Sequence, residues 1–383
     1  MSQSTKQELF TSLARRLRTV LNELYDLACE IHSNPEIAFN EFKASALCAQ
    51  KLSSWGFIVE KPFCELETAF RAHFGNGSKK IAFLAEYDAL PNIGHACGHN
   101  LIAAISLGAA YSLMNLTNEL DVELNVIGTP AEEGGGGKII LMERGGFDGI
   151  NIAMLVHPSA VDAVHMNTKA LSQFSFTFYG KEAHASSAPY EGINALDAMV
   201  TSLTAISLLR QQLKPSDQIH GIITDGGSAP NVIPAKTSAH YIARSDSLEG
   251  LKELEEKLFN CFRAGALATN AKLNIEPIGK VYSHFNINQD LLDLLEVTAT
   301  NPLINRNPEK DPSKWFSAST DMANLSWKIP CVHPTIKVEC GSAVNHQPDF
   351  AQACLGESAK KAIYDGANWL SFFSVELVQQ KFI

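Results

Sequence analysis

Long hydrophobic runs are missing from the sequence. No uninterrupted stretch of about eighteen apolar residues occurs, so we expect no membrane-spanning helix. We also expect no signal peptide, because the N-terminal segment MSQSTKQELFTSLARRLRTVL has no apolar core and has the pattern of an amphipathic helix. We therefore expect a cytoplasmic protein with no membrane partner.

Positive charge is scarce. Lys and Arg total 31 against 41 Asp and Glu, which gives a net charge of −10, and no cluster of Lys and Arg is present. We therefore expect no nucleic-acid partner, since such partners require a basic surface. The 8 cysteines are scattered along the whole chain. In a chain of this length without a signal peptide, they indicate free thiols or metal ligands, not a disulfide framework.

The order of predicted strands and helices indicates an α/β catalytic domain. Two helices are predicted within residues 6–56, with a turn at Ser33–Glu36. Strands are then predicted at KKIAFLAEY, DVELNVIGTP and INIAMLVHP, with the apolar helix LIAAISLGAAYSLMNL between the first two. This alternation is typical of a mainly parallel sheet covered by helices on both faces.

The pattern changes after residue 168. Strands are predicted at LSQFSFTFYG, QIHGIITD, TSAHYIAR and KLNIEPIG, and helices at about 191–213 and 247–269. The order β-α-β-β-α-β is that of the ferredoxin-like motif. We therefore predict a first catalytic part at 1–168, an inserted domain at 169–284 and a second catalytic part at 285–383.

Polar residues that bind metals or transfer protons follow three successive strands of the predicted catalytic domain. They are Asp88, Cys97 and His99 after the first strand, Glu132 and Glu133 after the second, and His157 at the end of the third. The carboxyl ends of strands in an open α/β sheet lie at one rim, where ligands bind. Each residue alone is more often an ordinary loop residue, but together they indicate a metal site.

Two hydrolase chemistries are compatible with these residues. In a metal site, one of the adjacent glutamates binds a metal and the other transfers protons. Alternatively, Cys97 is a nucleophile, with His99 or His95 as its base and Asp88 orienting that base. The metal interpretation is favoured because the cysteine alternative leaves the two glutamates and His157 without a role.

Eight motifs occur in the order and spacing of one known family. They are EIHSNPEIAFNE, AEYDALPNIGHACGHN, GTPAEEGGGG, LVHP, GKEAHASSAPYEGINALDA, PNVIPAKTSAHYIAR, STDMANLSW and NHQPDF. Across nearly its whole length the chain resembles the co-catalytic metallopeptidases and amidohydrolases, which include aminoacylases, carnosine-type dipeptidases and indoleacetyl-amino-acid hydrolases. Within that family it is most similar to the branch of p-aminobenzoyl-glutamate hydrolase and β-alanyl-lysine dipeptidase.

The resemblance implies a centre of two divalent metal ions. Thiolate and imidazole ligands favour zinc, and manganese or cobalt are alternatives. Glu132 would be the general base and acid, Asp88 would orient a metal-bound histidine, and His95 would have a supporting role. The implied ligands are Cys97, which would bridge the two ions, His99, Glu133, His157 and His346.

The resemblance also assigns roles outside the metal centre. His184 would polarise the scissile carbonyl, and the partner subunit of a homodimer would supply this histidine. Asn231 and Arg244 would hold a substrate carboxylate, although Arg244 is equally compatible with a structural ion pair, and Gly341 would line the substrate pocket. The inserted domain would serve as lid and dimerisation domain, and the substrate would be a dipeptide or an N-acyl amino acid.

The sequence departs from the family pattern at one position. Many relatives have a histidine ligand two residues before the aspartate that corresponds to Asp88, where this chain has Glu86. The resemblance leaves open whether Glu86 contributes to the second metal. A non-catalytic binding protein on the same fold is a third hypothesis, but such a protein would be expected to lose a ligand or Glu132.

Overall fold

The chain folds into two compact units. The computed structural model describes residues 3–310 and 317–383. The larger unit extends to Asn167 and resumes from Phe285 to Ile383, and the smaller unit is Thr168–His284. The helices are α1 Gln3–Ser33, α2 Phe42–Ser54, α3 His99–Leu113, α4 Thr117–Leu120, α5 Gly137–Glu143, α6 Ala195–Leu209, α7 Leu248–Thr269, α8 Gln289–Ala299, α9 Met322–Leu325, α10 Pro348–Ala353 and α11 Gly356–Gln379.

The described strands form one sheet in each unit and two short additional pairs. Their bounds are β1 Ile58–Glu60, β2 Phe70–Phe74, β3 Lys79–Ala85, β4 Val122–Gly128, β5 Ile152–Met154, β6 His157–Ser159, β7 Asn167–Thr168, β8 Ala170–Tyr179, β9 Gln218–Asp225, β10 Lys236–Ser245, β11 Lys272–Pro277, β12 Ser317–Ala318, β13 Cys331–Val332 and β14 Thr335–Lys337. The two short pairs are β12-β7 and β14-β6.

A six-stranded sheet is the centre of the larger unit. Its strand order is β1-β2-β4-β3-β5-β13. Strands β4, β3, β5 and β13 are parallel, as the sequence predicts for the catalytic domain. Strands β1 and β2, which the sequence does not predict, are antiparallel and extend one edge. These strands have three and five residues. Strands this short contain too few residues to establish a period-two pattern.

Alternate residues of β3 line two separate cores, as the pleat of a strand requires. Ile81, Phe83 and Ala85 belong to the core that includes residues of α1, α3 and α11. Ala82 and Leu84 belong to the core on the other face, with residues of α5 and α9. By composition, His99–Leu120 is long and apolar enough to span a membrane, but 83% of its most apolar window is buried, as in a core helix.

The smaller unit has the predicted β-α-β-β-α-β order. Its antiparallel sheet has the strand order β11-β8-β10-β9, and α6 and α7 pack on it. The core of this unit is aromatic, and the rings of Phe176 and Phe262 stack with centroids 3.7 Å apart. Burial alternates with period two along β10, and buried residues recur every three or four positions along α7, which is why the sequence predicts these elements well.

Candidate metal centre

Loops at the carboxyl ends of the parallel strands carry the predicted ligands. Strand β3 ends at Ala85, just before Asp88, and β4 ends at Gly128, shortly before Glu132 and Glu133. The prediction that His157 ends the third strand is wrong in detail. Strand β5 ends at Met154, and His157 begins the separate strand β6, which pairs with β14. A two-residue break between β5 and β6 is invisible in an unbroken apolar run.

Gly98 makes the turn between the two ligands of the HACGH segment. Its φ is +83°, in the left-handed region, and it lies immediately before the first residue of α3, His99. A β-carbon at this position would lie 2.9 Å from Cβ of Pro158. Only glycine is therefore compatible with both the backbone conformation and the close approach of the loop that follows His157.

The five predicted metal ligands lie together. Potential ligand atoms lie within 4.8 Å of one another in three groups, which share several members. Glu132 also belongs to one of these groups. The groups are Cys97–His99–His157, Cys97–Glu133–His346 and His99–Glu132–Glu133. Cys97, His99 and Glu133 each belong to two groups, so the three groups adjoin one another.

Asp88 contacts two of these residues. Its Oδ1 lies 2.9 Å from Nδ1 of His99, and its Oδ2 accepts a hydrogen bond of 3.0 Å from the backbone N–H of Glu133. Asp88 is buried, so both contacts are protected from water. A carboxylate on Nδ1 directs Nε2 of the imidazole towards a metal. The position of Asp88 therefore agrees with its predicted orienting role.

The residues of the site fit a divalent cation. Nε2 of His99 is buried and has no hydrogen-bond partner among the described residues. It lies 3.5 Å from Oε2 of Glu86 and 3.9 Å from Oε1 of Glu133. Two ligands of one tetrahedral ion, with bonds of about 2 Å, are separated by roughly 3.3 Å, so these spacings are close to those around a metal.

The thiol of Cys97 is also suited to a metal ion. Burial and the nearby carboxylate of Glu133 raise the pKa of Cys97 well above its ordinary value. A metal ion reverses this effect, because a coordinated thiol is deprotonated. The sulfur also lies 3.5 Å from Nε2 of His157, which is a normal spacing for two ligands of one ion.

His157 and His346 are held by backbone contacts. Nδ1 of His157 lies 2.8 Å from the carbonyl of Pro158, which directs Nε2 into the site. Burial and repulsion from His99 lower the pKa of His157 to about 4, so the ring is neutral, as a ligand must be. The backbone N–H of His346 donates to the carbonyl of Ala96, which fixes its loop beside the HACGH segment.

The adjacent glutamates have different electrostatic environments. Burial, together with repulsion from Glu86 and Glu133, raises the pKa of Glu132 well above its ordinary value. Burial also opposes ionisation of Glu133, but the contacts with His346 and His99 outweigh it and lower the pKa of Glu133 to about 2. The pair therefore consists of one carboxylate that binds protons readily and one that stays ionised.

A buried lysine beside the site was not identified from the sequence. Nζ of Lys138 lies 2.7 Å from Oε1 of Glu86 and 2.7 Å from Oδ1 of Asp321. The backbone N–H of Lys138 also donates to Oδ2 of Asp321. All three side chains are almost completely buried. The signal in the sequence is Lys138 itself, a single charge in the run GGGGKIILM.

Glu86, which replaces the histidine of many relatives, is thus engaged by Lys138. Burial opposes ionisation of Glu86, but attraction from Lys138 and His99 outweighs it and lowers its pKa to about 2. Glu86 belongs to none of the three ligand groups formed by the described residues. One of its oxygens nevertheless faces Nε2 of His99 at 3.5 Å.

Two buried histidines surround the ligands without joining the ligand groups. His95 is 1% exposed and His333 is 2% exposed, and the ring nitrogens of His333 have no hydrogen-bond partner among the described residues. The ring of His333 lies 5.6 Å from that of His157, whereas the ring of His95 lies 6.0 Å from that of His32. The sequence does not identify His333 as a site residue, because its local sequence VHP is that of an ordinary strand end.

The remaining predicted residues lie partly in the smaller unit. There, the backbone of His184 bridges to Val232, and the N–H of Ala185 donates to the carbonyl of Asn231, so the two predicted segments are adjacent. Arg244 lies on β10. In the larger unit, Gly341 is exposed and has a left-handed φ of +62°, with open space where a β-carbon would be.

Comparison with known proteins identifies the family. A family model described as the M20 peptidase dimerisation domain matches residues 167–270. The chain is 35% identical over 384 aligned residues to a mouse (Mus musculus) protein named Xaa-Arg dipeptidase, covering 95% of this chain and 88% of that one. The chain belongs to the M20 peptidase family.

Other M20-related proteins agree with this assignment. One of the subunits of Escherichia coli p-aminobenzoyl-glutamate hydrolase is 30% identical over 285 residues, which is 69% of this chain and 59% of that protein. A Bacillus subtilis crystal structure, described as a dinuclear metal-binding M20 peptidase, aligns with a TM-score of 0.71 at 19% identity. That alignment covers 94% of this chain and 99% of the other.

Membership of the M20 family confirms three predictions. They are the family resemblance, the α/β fold with an inserted domain, and the enzyme class, a metal-dependent amide hydrolase. The individual ligands, Glu132, Asp88, His184 and the substrate-binding residues stay predictions. The contact between Asp88 and Nδ1 of His99 fits the cysteine-nucleophile hypothesis as well as a metal site, but burial and Glu133 raise the pKa of the Cys97 thiol well above its ordinary value, which disfavours a thiolate nucleophile.

Proposed function

We propose that this M20 enzyme hydrolyses the amide bond of dipeptides or N-acyl amino acids that carry a free carboxylate. The supporting observation is the group of six side chains around Cys97 and Glu133, which combines metal ligands with a proton-transferring glutamate. The names of the mouse and E. coli relatives, Xaa-Arg dipeptidase and p-aminobenzoyl-glutamate hydrolase, support a substrate of this class.

The metal centre would hold two divalent ions. Following the family resemblance, we propose Cys97 as the shared ligand; it belongs to two of the three ligand groups, as do His99 and Glu133. Zinc suits the thiolate and imidazole ligands best, and manganese or cobalt are alternatives. When bound, the ions supply Lewis acidity, which makes a water molecule acidic at neutral pH and polarises the scissile carbonyl. The remaining proposed ligands are His99, Glu133, His157 and His346.

Glu132 is the proposed general base and acid. Its carboxylate removes a proton from the water whose oxygen attacks the amide carbon. As the carbon–nitrogen bond breaks, Glu132 returns that proton to the leaving nitrogen, and an acid and a free amine result. Its raised pKa favours this cycle, because a carboxyl group that binds protons readily is a better acceptor than its ionised neighbour Glu133.

His184 is the proposed donor to the developing oxyanion. In the smaller unit, its ring is exposed and its Nδ1 accepts a hydrogen bond of 3.3 Å from the backbone N–H of Ser186. This contact leaves the proton of the neutral ring on Nε2, which can donate to a carbonyl oxygen. Asn231, Arg244 and Gly341 are proposed to hold the substrate, with Arg244 gripping its carboxylate.

A homodimer is the proposed assembly, with the inserted unit as lid and dimerisation domain. The match to a dimerisation domain supports it. Strand β9 also lies at the edge of the four-stranded sheet with Ile222 and Ile223 exposed, so its backbone is available to a second copy. A partner subunit could then supply His184. A cytoplasmic location stays a prediction from the sequence.

The test is a substrate screen on the metal-loaded enzyme. Xaa-Arg dipeptides, p-aminobenzoyl-glutamate and N-acetyl amino acids are incubated with the protein, and free amine is measured together with metal content. We expect two metal ions per chain and activity on one of these classes. Glu132→Gln should keep the metals and lose activity by about 10²–10⁴-fold, whereas Glu256→Gln on the exposed face of α7 should leave both unchanged. Near-normal rates for Glu132→Gln contradict the mechanism.

A further inference from the structure

The segment between α1 and α2 supports both loops that carry the site carboxylates. We call residues 36–41 the brace. The carbonyl of Glu36 accepts a hydrogen bond of 2.8 Å from the N–H of Ala89, next to Asp88. Oε1 of Glu41 accepts one of 2.9 Å from the N–H of Ala131, next to Glu132. The brace therefore contacts the backbone immediately beside two of the site residues.

Ala131 has an unusual backbone conformation. Its φ is +58°, in the left-handed region, although it carries a β-carbon. Its carbonyl accepts hydrogen bonds from the N–H groups of Gly135 and Gly136, so the turn closes around it. A left-handed non-glycine residue is costly and persists only where its surroundings hold it. The hydrogen bond from the N–H of Ala131 to Glu41 is the contact that restrains the amide group of this residue.

Helix capping does not explain the buried position of Glu41. Glu41 is 0% exposed and precedes the first residue of α2, where a side chain often caps the helix. Its side chain makes no capping hydrogen bond. The carboxylate of Glu36 caps α2 instead, accepting from the N–H groups of Lys43 and Ala44. The Glu41 carboxylate is thus directed away from its own helix and towards Ala131.

Glu132 consequently lies between two restrained peptide groups. On one side, Glu41 holds the N–H of Ala131 at 2.9 Å, and on the other, Asp88 holds the N–H of Glu133 at 3.0 Å. The aromatic ring of Phe39 adds a contact to the same turn, because a β-carbon on Gly135 would lie 2.5 Å from it. The peptide groups on either side of Glu132 are thus restrained by Glu41 and Asp88, which are buried and outside the ligand set.

We propose that Glu41 is a positioning residue of the hydrolytic site. Through the N–H of Ala131 it stabilises the left-handed turn that directs Glu132 and Glu133 into the metal centre. This inference rests on the proposed function, in which these two glutamates transfer protons and bind metal. Glu41 itself belongs to none of the three ligand groups formed by the described residues.

Four proteins test this role beside the wild type. Glu41→Gln keeps an acceptor for the N–H of Ala131, and Glu41→Ala removes it. Glu41→Ala with Ala131→Gly removes the acceptor but allows the turn to form without steric cost. Glu23→Ala is the control, because Glu23 is an exposed glutamate on α1 that contacts only Lys51 in the described ion pairs. Zinc affinity by chelator competition, kcat and KM are measured well below the melting temperature.

Glu41→Ala is expected to lower zinc affinity and kcat by about 10–100-fold with little change in KM, as for other residues that orient ligands. Glu41→Gln and Glu23→Ala should stay close to the wild type, and Ala131→Gly should restore part of the loss in Glu41→Ala. The proposal is overturned if folded Glu41→Ala has normal zinc affinity and kcat. It is also overturned if Glu41→Gln loses as much zinc affinity and kcat as Glu41→Ala, or if Ala131→Gly restores neither quantity in Glu41→Ala. If the wild type itself binds no zinc and hydrolyses no substrate, the proposed function fails instead.

Discussion

Removal of the buried Lys138 cation is predicted to destabilise the larger unit strongly. In Lys138→Met, an apolar side chain of similar length replaces an ammonium that lies 2.7 Å from both Glu86 and Asp321. The side chains of all three residues are at most 1% exposed, so water cannot compensate the two remaining carboxylates. Breaking a buried ion pair by removing one partner costs about 3–5 kcal/mol. Since the free energy of unfolding of a typical protein is only about 5–15 kcal/mol, this loss is a large fraction of the total stability.

The loss should also depend on pH. Without Lys138, burial raises the pKa of Glu86 and Asp321 above their unfolded values, so each carboxylate costs stability as the pH rises through its folded pKa. Burial already raises the pKa of Asp321 to about 6 with the lysine present. We therefore expect Lys138→Met to lose more free energy of unfolding at pH 8 than at pH 5, where protonation relieves the buried charges.

Urea unfolding in EDTA measures this effect without interference from bound metal. Lys328→Met is the matched control, because its ammonium lies 2.9 Å from Asp148 at the surface, where an ion pair contributes at most about 1 kcal/mol. Glu86→Gln/Lys138→Met/Asp321→Asn removes all three charges and should recover much of the loss. If the free energy of unfolding of Lys138→Met at pH 8 is within about 1 kcal/mol of the wild-type value, the cation does not compensate the two carboxylates and the reasoning is refuted.

Three further predictions concern the metal, Asp88 and Glu41. Treatment with EDTA should abolish hydrolysis and zinc should restore it, whereas full activity of the chelated protein would support the cysteine-nucleophile hypothesis. Asp88→Asn should lower zinc affinity about 10–100-fold in chelator competition, because the amide orients His99 more weakly, and unchanged affinity would remove Asp88 from the site. Burial and the Asp88 carboxylate raise the pKa of Glu41 from 4.5 to about 7, so wild-type stability falls as the pH rises through that range. The side chain in Glu41→Gln cannot ionise. Between pH 5 and pH 8, its free energy of unfolding in urea should therefore rise by about 2–3 kcal/mol relative to that of the wild type. A difference that stays constant with pH would show that Glu41 does not titrate in this range.

Predictions from local periodicity agree well with the fold. Strand β10 and helix α7 of the smaller unit are visible in the sequence, because each has a clear apolar repeat of its own. The short strands β1 and β2 and the break between β5 and β6 have no such repeat. Their formation depends on neighbouring strands, which is why the sequence does not reveal them.

Predictions at the site depended on residue type and on position at strand ends. Cys97, Glu133 and His157 could be selected because their side chains bind metals and because they follow successive strands. Lys138 and Asp321 could not be paired, since they are 183 positions apart. Glu41 and Ala131 are 90 positions apart, and nothing in the sequence marks the left-handed conformation of an alanine.

The amino-acid sequence by itself determined the order of elements, the inserted β-α-β-β-α-β unit and the chemical types of the candidate ligands. These features are local, because they follow from side-chain periodicity and from the chemistry of single residues. Only the tertiary structure decided which buried carboxylate has which partner. Asp88 contacts His99, Glu86 contacts Lys138, and Glu41 contacts the backbone of Ala131. A carboxylate taken out of water must have a compensating donor or cation within about 3 Å, and the folded chain alone brings such partners together.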